Sequence, residues 1–205
     1  MPRDGAPTRQ RILDTAERLV IDNGFSATSV DQVIAESATS KGSFFHHFPS
    51  KSELASALVR RYADADIAHL RAAEAEIAGI DDPAERVLEF VRLFEDGAEE
   101  LMAAQSSCLY VAVLTERQLM EEGTSGPVTE AIVAWREGIA SLLVEAGISD
   151  RAEAEALADH VFVTFEGAFL LCRSTGDPGL MRTQLRTLRH LLAARLRVDA
   201  VPGVG

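Results

Sequence analysis

SKGSFFHHFPSK, residues 40–51, sets three phenylalanines, two adjacent histidines and two lysines into twelve positions. Lys41 and Lys51 are the only lysines of the 205-residue chain; its other 18 basic residues are arginine. Aromatic side chains usually go inside a protein, while lysine and histidine usually stay wet. A two-turn helix with one face on a core and the other on a polyanion needs both kinds. Ser40 is placed to cap such a helix, which runs to about His46, and Pro49 closes the segment. Phe44 and Phe48, four apart, share an anchoring face. Lys41, Gly42, Ser43 and His47 fall largely elsewhere, where they can meet bases or phosphates. Gly42 lets the backbone approach closely. Lys51 lies in the first turn of the next helix, an odd charge for a positive helix end. It makes sense if it reaches out to a phosphate, beside a backbone N–H that can do the same.

Upstream, Thr8 can cap a first helix to about Asn23, with Ile12, Leu13, Ala16, Leu19 and Val20 on its apolar face and Gly24 as its stop. Thr28 or Ser29 caps a short second helix carrying Val30, Val33 and Ile34. Two short helices joined by a three- or four-residue turn make a helix-turn-helix, whose second helix enters the major groove of DNA.

Downstream the pattern stays helical. Ser50 and Glu53 form a capping box that opens a long fourth helix towards Ala78. Asp82, Pro83 and Glu85 give a cap, a first-position proline and a third-position glutamate for a fifth helix to about Ala103. A sixth covers roughly 107–121. A seventh starts at Pro127 and runs to about Ala146, an eighth covers 151–175, and a ninth ends near Arg197. The expected fold is therefore all-α, with about nine helices.

Composition narrows the class. The chain is 47% hydrophobic and 25% charged, as in soluble globular proteins. No apolar run approaches the ~18–20 residues that span a bilayer. Met1-Pro2-Arg3-Asp4-Gly5 holds no apolar signal core, so a cytoplasmic protein with no membrane partner is expected. Cys108 and Cys172 lack metal-ligand spacing and read as reduced core residues. A net charge of −12 argues against nucleic acid until the chain is divided. Residues 1–61 hold 8 basic and 7 acidic residues, against 12 and 25 over 62–205. Phosphate would be repelled by the acidic part, so DNA contact is confined to the N-terminal part.

Signs of catalysis are weak. The His46-His47 pair points in directions about 100° apart on a helix, which does not suit a metal. Asp159-His160 has no nucleophile elbow, zinc-helix pair or phosphate loop with it. No enzyme activity, metal or cofactor is expected. Aromatic residues gather on the later helices: Phe90, Phe94, Tyr110, Trp135 and Phe165. Each can be plain core; together they are what a ligand cavity needs.

The run from Ile12 through Leu58 resembles the tetracycline-repressor (TetR) family of bacterial transcription factors. The likeness rests on Gly24-Phe25, Thr28-Ser29-Val30 and the whole of Ser40–Lys51. It implies a DNA-binding domain over 1–48 and a ligand-binding and dimerisation domain over 49–205. It also implies a homodimeric repressor of a palindromic double-stranded operator, released by a small-molecule effector. Carried onto this chain, the DNA contacts are Thr28, Ser40, Lys41, Gly42, Ser43, Phe45, His46, His47 and Lys51. The effector pocket draws on Phe90, Phe94, Tyr110, Trp135 and Phe165. The last two helices pair with their symmetry mates through Gly167, Leu180, Leu185, Leu188 and Leu192, on a stripe that includes Met181. Three positions depart from the family pattern. Ala38 replaces a glycine common in the turn and so strains it. Ile34 stands where alanine is usual and holds the two helices apart. Phe45 stands where a tyrosine commonly offers a hydroxyl to a phosphate, leaving only a ring to pack on DNA. The rival reading is an architectural DNA-binding protein of the same fold that needs no ligand.

Overall fold

A computed structural model describes residues 5–104, 108–114 and 124–199, and among these every regular element is a helix. In chain order these are α1 (Ala6–Asn23), α2 (Val30–Glu36), α3 (Lys41–His47), α4 (Lys51–Ile77), α5 (Pro83–Asp96), α6 (Ala98–Ala104), α7 (Leu109–Leu114), α8 (Ser125–Glu145), α9 (Arg151–Thr175) and α10 (Gly179–Asp199).

Most boundaries follow from local chemistry. Ser29, Ser40 and Ser50 accept hydrogen bonds from the backbone N–H of Gln32, Ser43 and Glu53, each at 3.1 Å. Asp82 and Asp150 do the same for Ala84 and Ala152 at 3.0 Å. These bonds satisfy N–H groups that a helix start leaves without partners. Gly24 and Gly176 end α1 and α9 at φ of 87° and 73°, a region open to glycine at no steric cost.

Three boundaries differ from expectation. Thr8 lies inside α1 and does not cap it: Gly5 is the cap, and Pro7, with its preset φ, takes the first turn. The fifth helix expected to reach Ala103 is divided at Gly97 into α5 and α6, at a residue with little helical preference of its own. Of the sixth helix expected over 107–121, α7 is the described helical part; residues 107 and 115–121 lie outside the described residues.

The chain forms two compact units, one drawn from 1–65 and 105–130, the other from 66–104 and 131–205. Helices α4 and α8 run from one unit into the other. In the first, Ile12, Leu13, Phe44, Phe48, Leu54 and Leu58 are buried together with Val33. Arg61 of α4 binds Asp14 of α1 at 2.6 Å and also Glu17. In the second, α5 and α9 pack on α10 around Phe90, Val91, Val161, Leu188 and Leu192. Glu95 at the end of α5 is a buried charge there. Arg186 and Arg189 of α10 donate to its two oxygens at 2.9 and 2.8 Å. Burial alone would raise the Glu95 pKa, but the two guanidinium groups outweigh it and hold the carboxyl below its ordinary range.

Candidate nucleic-acid interface

Phe44 and Phe48 are both buried, and they fix α3 against the rest of its unit. Arg9 of α1 lies 5.2 Å over the Phe48 ring and adds to that anchor. The opposite face of the segment is open. Ser40, Lys41, Gly42, Phe45 and His46 are exposed, and Ser43 and His47 are partly so. A Cβ added to Gly42 would meet nothing within 4 Å, so a surface could come close to the backbone there. Lys41 Nζ lies 3.7 Å from Asp31, but both groups are largely in water, where such a pair holds little. Its charge can exchange that partner for a phosphate.

The turn between α2 and α3 is strained at one residue. Ala38 has φ 52°, the only positive φ outside glycine among the described residues. An L-residue there sets its Cβ against the following carbonyl. The turn is held by side chains on either side. Ser37 and Thr39 share a 2.9 Å hydrogen bond between hydroxyls, and Arg11 donates to the Ser37 carbonyl at 3.2 Å.

Two residues expected at DNA are differently placed. Thr28 is buried; its hydroxyl lies 2.9 Å from the Gly24 carbonyl and 3.2 Å from that of Leu19, so it closes the α1–α2 corner. Ser29, exposed, takes the cap instead. Lys51 turns its ammonium inward. Nζ donates to the Phe25 carbonyl at 2.8 Å and sits 4.2 Å from the centre of the Phe25 ring. A helix-terminal lysine is an anomaly only on its own element; here a carbonyl and an aromatic face on the preceding segment receive it.

The expected pocket residues separate. Phe90, Phe94, Trp135 and Phe165 form one cluster in the second unit. Phe94 is its hub, with ring centres 5.3 Å from Phe90, 5.4 Å from Trp135 and 5.5 Å from Phe165. The Trp135 indole N–H is buried with no acceptor among the described residues. Tyr110 belongs to the first unit, where it meets Tyr62 edge-on at 5.1 Å.

The expected pairing stripe lies inside the protomer. Met181, Leu185, Leu188 and Leu192 are buried within their own unit, because α5 and α9 pack on that face of α10. Leu180 is partly buried at its edge. The apolar face left in solvent is another. Val163, Leu170 and Leu171 of α9 are 60, 67 and 42% exposed, Leu191 of α10 is 57% exposed, and Gly167 has open space at its Cβ position. The spacing of 163, 167, 170 and 171 is helical, a signal present in the sequence beside the leucine stripe of α10.

Among the described residues, no cluster of histidine, cysteine or carboxylate side chains could hold a metal ion, and no helix is long and apolar enough to cross a membrane. Cys108 and Cys172 are buried thiols.

Comparison with known proteins gives these features a context. Residues 12–58 match the profile of bacterial regulatory proteins of the tetR family, and residues 83–187 match that of the C-terminal domain of LmrA/YxaF-like transcriptional regulators. The transcriptional regulator AcuR of Cereibacter sphaeroides is 25% identical over 194 residues, covering 92% of this chain and 87% of its own. The HTH-type transcriptional regulator YxaF of Bacillus subtilis is 28% identical over 174 residues, covering 83% and 87%. A tetR-family regulator from Agrobacterium tumefaciens has a similar fold, with a TM-score of 0.75 at 24% identity over 92% of this chain and 98% of its own.

Proposed function

Because the chain belongs to the tetR family of bacterial regulatory proteins, DNA-binding transcriptional regulators and not enzymes, we propose that it is a cytoplasmic homodimeric repressor released from a palindromic operator by a small molecule. The observation that carries this reading is the two-sided α3. Phe44 and Phe48 are buried, while Ser40, Lys41, Gly42 and His46 lie open on the other side. A face of that composition suits the major groove, where polar side chains read base edges and cations meet phosphate. This reading assigns DNA binding to 1–48, with Ser40, Lys41, Gly42, Ser43, Phe45, His46 and His47 as the contacts.

Dimerisation is assigned to the open stripe of α9 and α10: Val163, Gly167, Leu170, Leu171 and Leu191. A two-fold axis there makes the contact self-complementary and matches the symmetry of a palindrome. The effector is assigned to the second unit, beside Phe90, Phe94, Trp135 and Phe165. The buried indole N–H supports this, since a donor without an acceptor carries a desolvation cost that a ligand oxygen or nitrogen would remove. Release needs only that the effector prefer the arrangement that binds DNA poorly, with α4 and α8 as the continuous links between units.

A reporter gene placed behind a duplex selected by the protein tests the repressor role. Wild-type chain should silence it and Lys41→Ala should relieve the silencing. Raised expression in the presence of the wild-type chain would make the protein an activator.

A further inference from the structure

Two of the three phenylalanines are enough to hold α3. Phe44 and Phe48 are buried with their rings 6.0 Å apart. Phe45 faces away. It is 41% exposed, the only large apolar side chain of α1–α3 left open among the described residues. Its ring stands edge-on to Phe44 at 5.2 Å and 82°, and this contact restricts its rotation. Lys41 and Gly42, four and three positions earlier, share its face of the helix. The ring therefore lies amid groups suited to DNA, yet it has neither charge nor hydroxyl.

A phosphate is a hydrated anion and gains nothing from such a ring. On the floor of the major groove there is one apolar group, the C5-methyl of thymine, and phenylalanine is among the side chains that meet it. We infer that Phe45 is a specificity residue that reads a thymine methyl in each operator half-site. This rests on α3 being the helix that enters the groove. It adds a requirement that the reading alone does not contain: a 5-methylpyrimidine at one fixed position, recognised without a hydrogen bond.

The full-length protein is first used to select duplexes from a random library. Each thymine of the selected half-site is then replaced by uracil, which lacks only the methyl. At one position, uracil should weaken binding about fourfold per half-site, the effect of one buried methyl-sized group. Cytosine there should bind worse than 5-methylcytosine by a similar factor. Phe45→Ala should lose both distinctions while keeping the wild-type melting temperature and salt dependence. The inference is overturned if uracil is neutral at every position, if the selected half-site requires no thymine, or if Phe45→Ala still prefers thymine. It is overturned equally if Phe45→Ala weakens all duplexes alike, which would put the ring against the backbone. If no sequence is enriched at all, the reading of α3 itself falls, and this inference with it.

Discussion

Ala38 carries strain in the turn that sets α3. With φ at 52°, its Cβ costs about 1–2 kcal/mol. Ala38→Gly removes that clash, while glycine's looser unfolded chain returns about 0.4–1 kcal/mol of the gain. The net expectation is a stabilisation between about 0 and 1.6 kcal/mol, read as a rise of up to a few degrees in the thermal midpoint. Ala38→Val should move the midpoint down, since a β-branched residue tolerates positive φ poorly. A lower midpoint for Ala38→Gly would show that the turn is not strained. The position was legible through the family resemblance, as a glycine missing from a turn. The caps at Ser40, Ser50 and Asp82 were legible too, because a cap depends on neighbours two or three residues away. Thr28 and Lys51 were not. Their partners are the carbonyls of Leu19, Gly24 and Phe25, and for Lys51 also the Phe25 ring. Spacing along one helix does not reveal what lies across a corner.

At the scale of elements, Glu95 ties α5 to α10. Both its oxygens are occupied by arginines of α10, and the side chain is 7% exposed. Glu95→Gln keeps the shape but loses the charge, and should cost about 1.5–3 kcal/mol, the range for hydrogen bonds to charged groups. Arg186 is about half exposed, which places the effect at the lower end. The pH dependence has a definite sign. The folded pKa of Glu95 is depressed, so its contribution is complete above the unfolded carboxylate pKa and fades as pH falls through the folded value. Urea midpoints of wild type and Glu95→Gln should differ at pH 7 and converge in acid, as pH falls below the ordinary carboxylate range and through the folded value. A gap that stays constant into acid would assign the effect to packing. The apolar stripes of α9 and α10 teach a related lesson. Leucines at helical spacing were legible, but α10 has apolar residues on more than one side. Which side is covered depends on α5, and a single sequence does not show where α5 lies.

The chain joins a nearly neutral N-terminal segment to a strongly acidic remainder, which repels phosphate. Under the proposed reading, a two-fold partner supplies the second half of the DNA contact. Leu170→Glu, on the open face of α9, should give a folded monomer in sedimentation, with near wild-type melting and weak operator binding. Leu188→Glu, in the core, should fail to fold, because an unpaired charge would be buried. If Leu170→Glu remains dimeric, the pairing face lies elsewhere. The all-α class and the helix-turn-helix were readable because their signals are periodic and local; which apolar face of α9 and α10 stays open was not, because it is what remains after the protomer has packed. The most direct test of the central claim, that a symmetric pair of α3 helices reads DNA, is a hydroxyl-radical footprint of the full-length protein on its selected duplex. Two equivalent protected patches should appear on one side of the duplex, centred one helical turn of about 10–10.5 base pairs apart or a multiple of it. Lys41→Ala should weaken both patches together. A single patch, or uniform protection along the duplex, would contradict the account.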